Sequence, residues 1–181
     1  MWNAIKGKDI PASLRICAGT DGSVTQLLEV LTGKPVNVKT QEQSIIKATP
    51  DIARLLDIET GDHVNRRLVT LNVEGIVFVL AKSLAPIKRM PSGMKDDLMR
   101  ADIPIGKILR DYRLETRRDI LRIEIVHRDL FGDIPVISRE YSIIYKKKML
   151  MWINECFPVD DRWRIQESPY RGNLTFNILL D

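Results

Sequence analysis

The segment "RRLVTLNVEGIVFVLAKSLAP", residues 66 to 86, sets two cations into a run of apolar and β-branched side chains. Val, Leu, Ile and Phe flank Glu74-Gly75, a turn-forming dipeptide, so the segment predicts a β-hairpin. With those two residues as its loop, Arg67 stands opposite Lys82, and Val69, Leu71, Phe78 and Leu80 share their face. Two cations side by side on an apolar face repel each other and lose hydration. An anion held between them relieves both costs. The competing reading lets one or both side chains run along apolar surface and place their charges in water at the sheet edge.

The rest of the chain narrows the chemistry. Its net charge is +4, from 28 basic and 24 acidic residues, which is too small an excess to argue for nucleic acid and suits an anionic small molecule. Arg110, Arg113, Arg117, Arg118 and Arg122 form a local basic cluster, but Asp111, Glu115, Asp119 and Glu124 interleave it, and a solvated surface is expected. The two cysteines, Cys17 and Cys156, and the two histidines, His63 and His127, show neither disulfide-framework nor metal-ligand spacing, so no metal or other cofactor is expected. No P-loop, GxGxxG, HExxH or GxSxG motif occurs. The absence of an 18-residue apolar run or a signal-type N-terminus argues against a membrane partner and for a cytoplasmic protein.

The elements that would carry these residues are marked by caps and periodicity. "DGSVTQLLEVLTGKP" predicts a short helix: Ser23 caps it, Val24, Leu27, Leu28 and Leu31 form its apolar stripe, and Gly33 and Pro35 end it. "VNVKTQEQS" alternates as a strand, and "TPDIARLLDI" predicts a helix with Thr49 as cap and Pro50 in its first turn. After the hairpin come two short helices, the second starting at Pro104 and burying Ile105, Ile108 and Leu109. "RRDILRIEIVHRD" is a strand with Leu121, Ile123 and Ile125 on one face. "VISREYSIIYKKKMLMWINECFP" is a second hairpin turning in the lysine run 146 to 148. Hairpins with helices between them predict one α+β domain over residues 1–181, a single antiparallel sheet with helices covering one face. Its core is expected at about 23–158, with a tail, 159–181, that predicts no definite element. A pocket is expected between sheet and helices. No further sticky surface stands out, and a monomer is expected.

The order of these elements resembles the chorismate lyase (chorismate pyruvate-lyase) family and its archaeal members from about residue 23 to 158. The residues that carry the resemblance are "GSVTQLLE…GKPV", "RLVTLNVEGIVFVLAKSLAP", "IPIGKIL" and "ECFP". It implies an antiparallel sheet with helical flaps over a buried, metal-free site, and a lyase that removes pyruvate from chorismate to leave 4-hydroxybenzoate. Carried over position by position, it implies Arg67, Val24 and Ile105 as substrate-binding residues and Glu155 and Lys82 as catalytic ones. Lys82 stands where the family has a second arginine, so the charge is kept but the planar fork is lost. Val24 replaces a bulkier residue, although a contact through its backbone N–H would survive that change.

Chorismate carries one carboxylate on its ring and one on its enolpyruvyl arm. The resemblance therefore implies Arg67 on the ring carboxylate, helped by backbone N–H groups at Val24 and Ile105, and Lys82 on the arm. The reaction is an elimination with aromatisation, which asks mainly for orientation and proton handling. Glu155, among Met151, Ile153 and Phe157, is the implied proton handler, as a buried carboxyl that favours its protonated form. The alternative for Glu155 is an ion pair with a strand arginine such as Arg139. A second function keeps the fold and drops the chemistry: the effector (UTRA) domains of GntR-type regulators share it and bind small molecules only. The roughly twenty residues before Ser23 are too few for the DNA-binding domain that normally precedes such a module.

Overall fold

The computed structural model describes residues 2–6, 9–99 and 103–165. Among them, strands β1 (Asn37–Lys47), β2 (His63–Val73), β3 (Ile76–Pro86), β4 (Arg117–Val126), β5 (Val136–Tyr145) and β6 (Lys148–Pro158) form one sheet. Its order is β1-β2-β3-β6-β5-β4, and every neighbouring pair is antiparallel. The two long hairpins, β2–β3 and β5–β6, thus lie side by side at its centre, joined by the pairing of β3 with β6. The helices are α1 (Ala12–Gly19), α2 (Val24–Thr32), α3 (Pro50–Leu56), α4 (Met94–Met99) and α5 (Ile105–Asp111). Ser23 accepts a hydrogen bond from the Gln26 N–H at the start of α2, and Gly33, at φ 64°, ends it in the left-handed conformation. Thr49 caps α3 in the same way, with Pro50 in the first turn.

Both hairpins turn where the sequence predicts. Glu74 and Gly75 have φ of 49° and 84°, and Lys146 and Lys147 have φ of 49° and 64°, the positive pair that a two-residue hairpin loop requires. The register away from the first turn corrects the expectation. Val73 pairs with Ile76 and Asn72 with Val77, but Leu71 then pairs with Val79, so Phe78 is an extra residue in a β-bulge. One added residue reverses the face of every side chain beyond it. Arg67 therefore stands opposite Ser83, and Lys82 pairs with Leu68 on one side and Asn154 on the other, on the opposite face and exposed to solvent. Lys82 is not part of a cation pair with Arg67.

The face that carries Arg67 also carries Val69 and Leu71 of β2, Val79, Ala81 and Ser83 of β3, Ile153 and Glu155 of β6, and Arg139 and Tyr141 of β5. At one end of it α1 and α2 bury Leu14, Cys17, Val24 and Leu28 against Val38, Val69, Leu71 and Val79. At the other, α4 and α5 bury Met94, Leu98, Ile108 and Leu109 against Tyr141, Ile143 and Ile153. Each such aliphatic side chain contributes about 1.5–3 kcal/mol on burial. The Tyr112 hydroxyl donates to Asp97 at 2.8 Å, tying α5 to α4, and Gln43 of β1 donates to the Leu98 carbonyl at 2.7 Å, tying α4 to the sheet. Helix α3 lies apart on the opposite face, where Ala53 and Leu56 pack on Val64, Leu84 and Trp152.

The main cluster reaches past the expected core at both ends. Trp163, 1 % exposed, meets Phe78 edge-on with ring centres 5.1 Å apart and donates its indole N–H to the Pro158 carbonyl at 2.7 Å. The bulge residue Phe78 thus has a partner from the tail. The rest of the expected tail, residues 166–181, lies outside the described residues. No described helix is long and apolar enough to cross a membrane.

On the exposed outer face, Lys82→Met should shift the urea-unfolding free energy by no more than about 0.5 kcal/mol. A change well above 1 kcal/mol would return Lys82 to the buried face.

Candidate active site

Between the sheet and the first turns of α2 and α5 lies a pocket. Its empty space, including the part open to solvent, is about 590 Å³. Strand residues Val69, Leu71, Ala81, Ile143 and Ile153 give it an apolar floor, and Arg67, Arg118, Tyr141 and Glu155 are its polar side chains of greatest reach. Gly22, Ser23, Val24 and Thr25 form one rim, and Pro104, Ile105 and Gly106 another. Four of the residues expected from the sequence, Arg67, Val24, Ile105 and Glu155, thus line one cavity, and Lys82 does not. Arg118, assigned from its charge pattern to a solvated surface, lines it as well.

Arg67 is 2 % exposed. It is held from two sides: Nη1 donates to the Ile103 carbonyl at 2.9 Å, just before α5, and Nη2 donates to Thr40 Oγ1 of β1 at 3.3 Å. The guanidinium is thereby fixed in direction as well as buried. Val24 and Thr25 begin α2, and Ile105 and Gly106 begin α5. Their N–H groups have no carbonyl four residues earlier in the helix to bond, so both helix starts bring open donors to the rim. Gly106 permits the approach of the two helices: a Cβ there would come within 3.1 Å of Ser23 Oγ.

Glu155 is 6 % exposed, and its surroundings are not the purely apolar ones expected. Arg139 Nη2 ion-pairs with Oε2, and the Tyr141 hydroxyl donates to Oε1 at 3.1 Å. These are the contacts of a carboxylate, so the ion-pair alternative for Glu155 is the one that the structure contains, and it occurs inside the pocket. Arg139, 1 % exposed, uses Nη1 to bind the carbonyls of Cys17 at 3.0 Å and Ala18 at 3.3 Å, and also that of Thr20, at the C-terminal end of α1. Burial works most strongly against its charge, but the Glu155 carboxylate, with Tyr141 and Cys17 adding to it, outweighs burial, and the Arg139 pKa rises. Burial pushes the Tyr141 hydroxyl far up, and the charge of Glu155 adds to this, so Tyr141 remains a donor. Burial also pushes the Cys17 thiol up to about 12 in spite of Arg139, which makes it inert as a nucleophile.

A buried, fixed arginine, an oriented carboxylate with its own donors, and apolar walls give a pocket suited to a small molecule on a single antiparallel sheet flanked by helices. The chain belongs to the Rv2949c-like chorismate pyruvate-lyase family, whose model matches residues 19–164. It is similar to the protein named "Putative lyase MJ0807" of Methanocaldococcus jannaschii, with 39 % identity over 170 residues, 86 % of this chain and 82 % of that one. It is also similar to the "Chorismate pyruvate-lyase" of Mycobacterium leprae, with 27 % identity over 136 residues, 75 % and 62 % of the two chains. Among solved structures, the effector domain of PhnF from Mycobacterium smegmatis has the same fold, with a TM-score of 0.61 at 15 % identity over 77 % of this chain and 90 % of that one.

Removing Arg139 leaves Glu155 buried without its guanidinium. Arg139→Met should cost about 3–5 kcal/mol in chemical denaturation. The double variant Arg139→Met with Glu155→Leu should recover most of that loss, and additive single effects would mean that the pair is not coupled.

Proposed function

We propose that the chain removes pyruvate from chorismate to give 4-hydroxybenzoate in this pocket. The observation that carries the reading is the placement of Arg67 and Glu155 in one apolar cavity, each held by fixed neighbours. Family membership supports it independently. In this reading Arg67 takes the ring carboxylate in a charge-assisted, two-bond pair. The open N–H groups at the starts of α2 and α5 add donors to the same anion. The apolar floor excludes water and presses on the ring.

The reaction conserves every atom of the substrate. A proton leaves the ring carbon that bears the hydroxyl, and its bonding pair completes the aromatic ring. The bond from the neighbouring ring carbon to the ether oxygen breaks, with that pair going to oxygen. Enolpyruvate takes up one proton and tautomerises to pyruvate. Glu155, as the carboxylate nearest the reacting edge, accepts the hydrogen bond of the ring hydroxyl and handles the departing proton. Arg139 and Tyr141 keep it turned toward the ring.

Glu155→Gln keeps the shape and removes the proton acceptor. Binding of 4-hydroxybenzoate should change modestly, while single-turnover conversion of chorismate should slow by roughly 10²–10⁴-fold. Single turnover is the measurement to make, because slow release from an enclosed pocket masks a slower chemical step in steady state. Conversion at the parent rate would remove Glu155 from proton transfer.

A further inference from the structure

Arg118 is the charged pocket residue that neither the hairpin nor the family resemblance singles out. It lies in β4, paired with Ile143 of β5 and so on the face of Tyr141 and Arg67. Its neighbours in the basic cluster are neutralised outside: Arg117 pairs with Asp119 at 2.7 Å and Arg122 with Glu124 at 2.7 Å. Arg118 turns the other way. Its Nη1 donates to the Asp21 carbonyl at 3.1 Å, in the loop that leads into α2, and its Nε is buried with no hydrogen-bond partner. Among the described residues no carboxylate lies within salt-bridge distance of its guanidinium.

The position of Arg118 relative to Arg67 is set by the sheet. Arg67 is on β2 and Arg118 on β4, with β3, β6 and β5 between them. Four strand-to-strand steps amount to about 19 Å between backbones on a flat sheet. The reach of two long side chains shortens the gap between their guanidinium groups. The two cations therefore face the cavity from opposite sides, a suitable arrangement for a ligand with an anion at each end. Arg118 also stands with Ser23 and Gly106 at the boundary between this pocket and an outer groove that contains Arg110 and Arg113.

We propose that Arg118 is the second carboxylate-binding residue of the pocket, in the role assigned from sequence to Lys82, and that it selects ligands with a carboxylate on a side arm over those with a ring carboxylate alone. The proposal rests on the pocket assignment above and specifies its ligand class as an aromatic or cyclohexadiene dicarboxylate. An arginine here offers the arm carboxylate its Nη donors, of which, among the described residues, only Nη1 bonds a protein group, the Asp21 carbonyl.

The test compares two unreactive ligands by calorimetry. One is 4-hydroxybenzoate, with a single carboxylate; the other is 3-(carboxymethoxy)-4-hydroxybenzoate, with a second on an ether arm. Arg118→Met should weaken the dicarboxylate by tenfold or more and 4-hydroxybenzoate by less than twofold, the latter also serving as the check that the pocket is folded. Lys82→Met should change neither. Equal losses for both ligands, no loss for the dicarboxylate, or a selective loss in Lys82→Met instead would overturn the proposal. A selective loss in Arg118→Met without conversion of chorismate by the parent would uphold Arg118 and sink the lyase reading. Failure of the parent to bind either ligand would sink both.

Discussion

The buried pair of Arg139 and Glu155 is the contact on which the site depends. Two charges at 1 % and 6 % exposure are tolerated only when each has compensating partners. Arg139 meets that condition by binding the carboxylate with one nitrogen and the last carbonyls of α1 with the other. Glu155 meets it with Tyr141. The same arginine thus orients the carboxylate and fixes the end of α1. From there only Thr20, Asp21, Gly22 and the cap residue Ser23 lead to α2, and the Gly22 N–H is itself held by Thr20 Oγ1 at 2.9 Å. Loss of the pair would release the Glu155 carboxylate and a rim of the pocket together.

The sheet contributes its curvature. Four of its five strand pairs contain a bulge or register shift, at Thr40/Glu42, Leu71/Asn72, Ile120/Arg122 and Ile143/Ile144. The central β3–β6 pair runs without one. Bulges increase local twist and bend the strand that carries them. Two of the extra residues, Phe78 of β3 and Leu150 of β6, lie just outside the paired stretch of Leu80–Leu84 with Trp152–Cys156, and Glu155 sits on that regular stretch, between the strands that carry Arg67 and Arg118.

Much of this was legible in the sequence because its signals are local. Ser23, Gly33, Thr49 and Pro50 mark helix ends by backbone chemistry, and Glu74-Gly75 and Lys146-Lys147 mark turns by their positive φ. Arg67 stands out from the alternation of its strand, whereas Val24, Ile105 and Glu155 emerge only through family resemblance. Lys82 was misplaced because alternation counts faces only while the register is unbroken, and nothing in the composition around Phe78 announces an extra residue there. Leu121 failed for the same reason: it is the extra residue of the β4 bulge and is 45 % exposed. Charge counted along the chain hides Arg118, whereas charge sorted by face reveals it. In "RRDIL", Arg118 and Ile120 alternate to one side and Arg117 and Asp119 to the other, which already separates the inward arginine from its paired neighbour. The partnership of Arg139 with α1 links residues more than 100 apart and has no local signature.

The central claim is that this pocket converts chorismate and does not merely hold a related acid. The direct measurement is the quantity of pyruvate and of 4-hydroxybenzoate formed when the purified protein is mixed with chorismate, with Arg67→Ala as control. The account predicts both products in equal amounts, well above the control. No pyruvate above the Arg67→Ala level, with 4-hydroxybenzoate still bound tightly by the parent protein, would contradict it and identify a binding module instead.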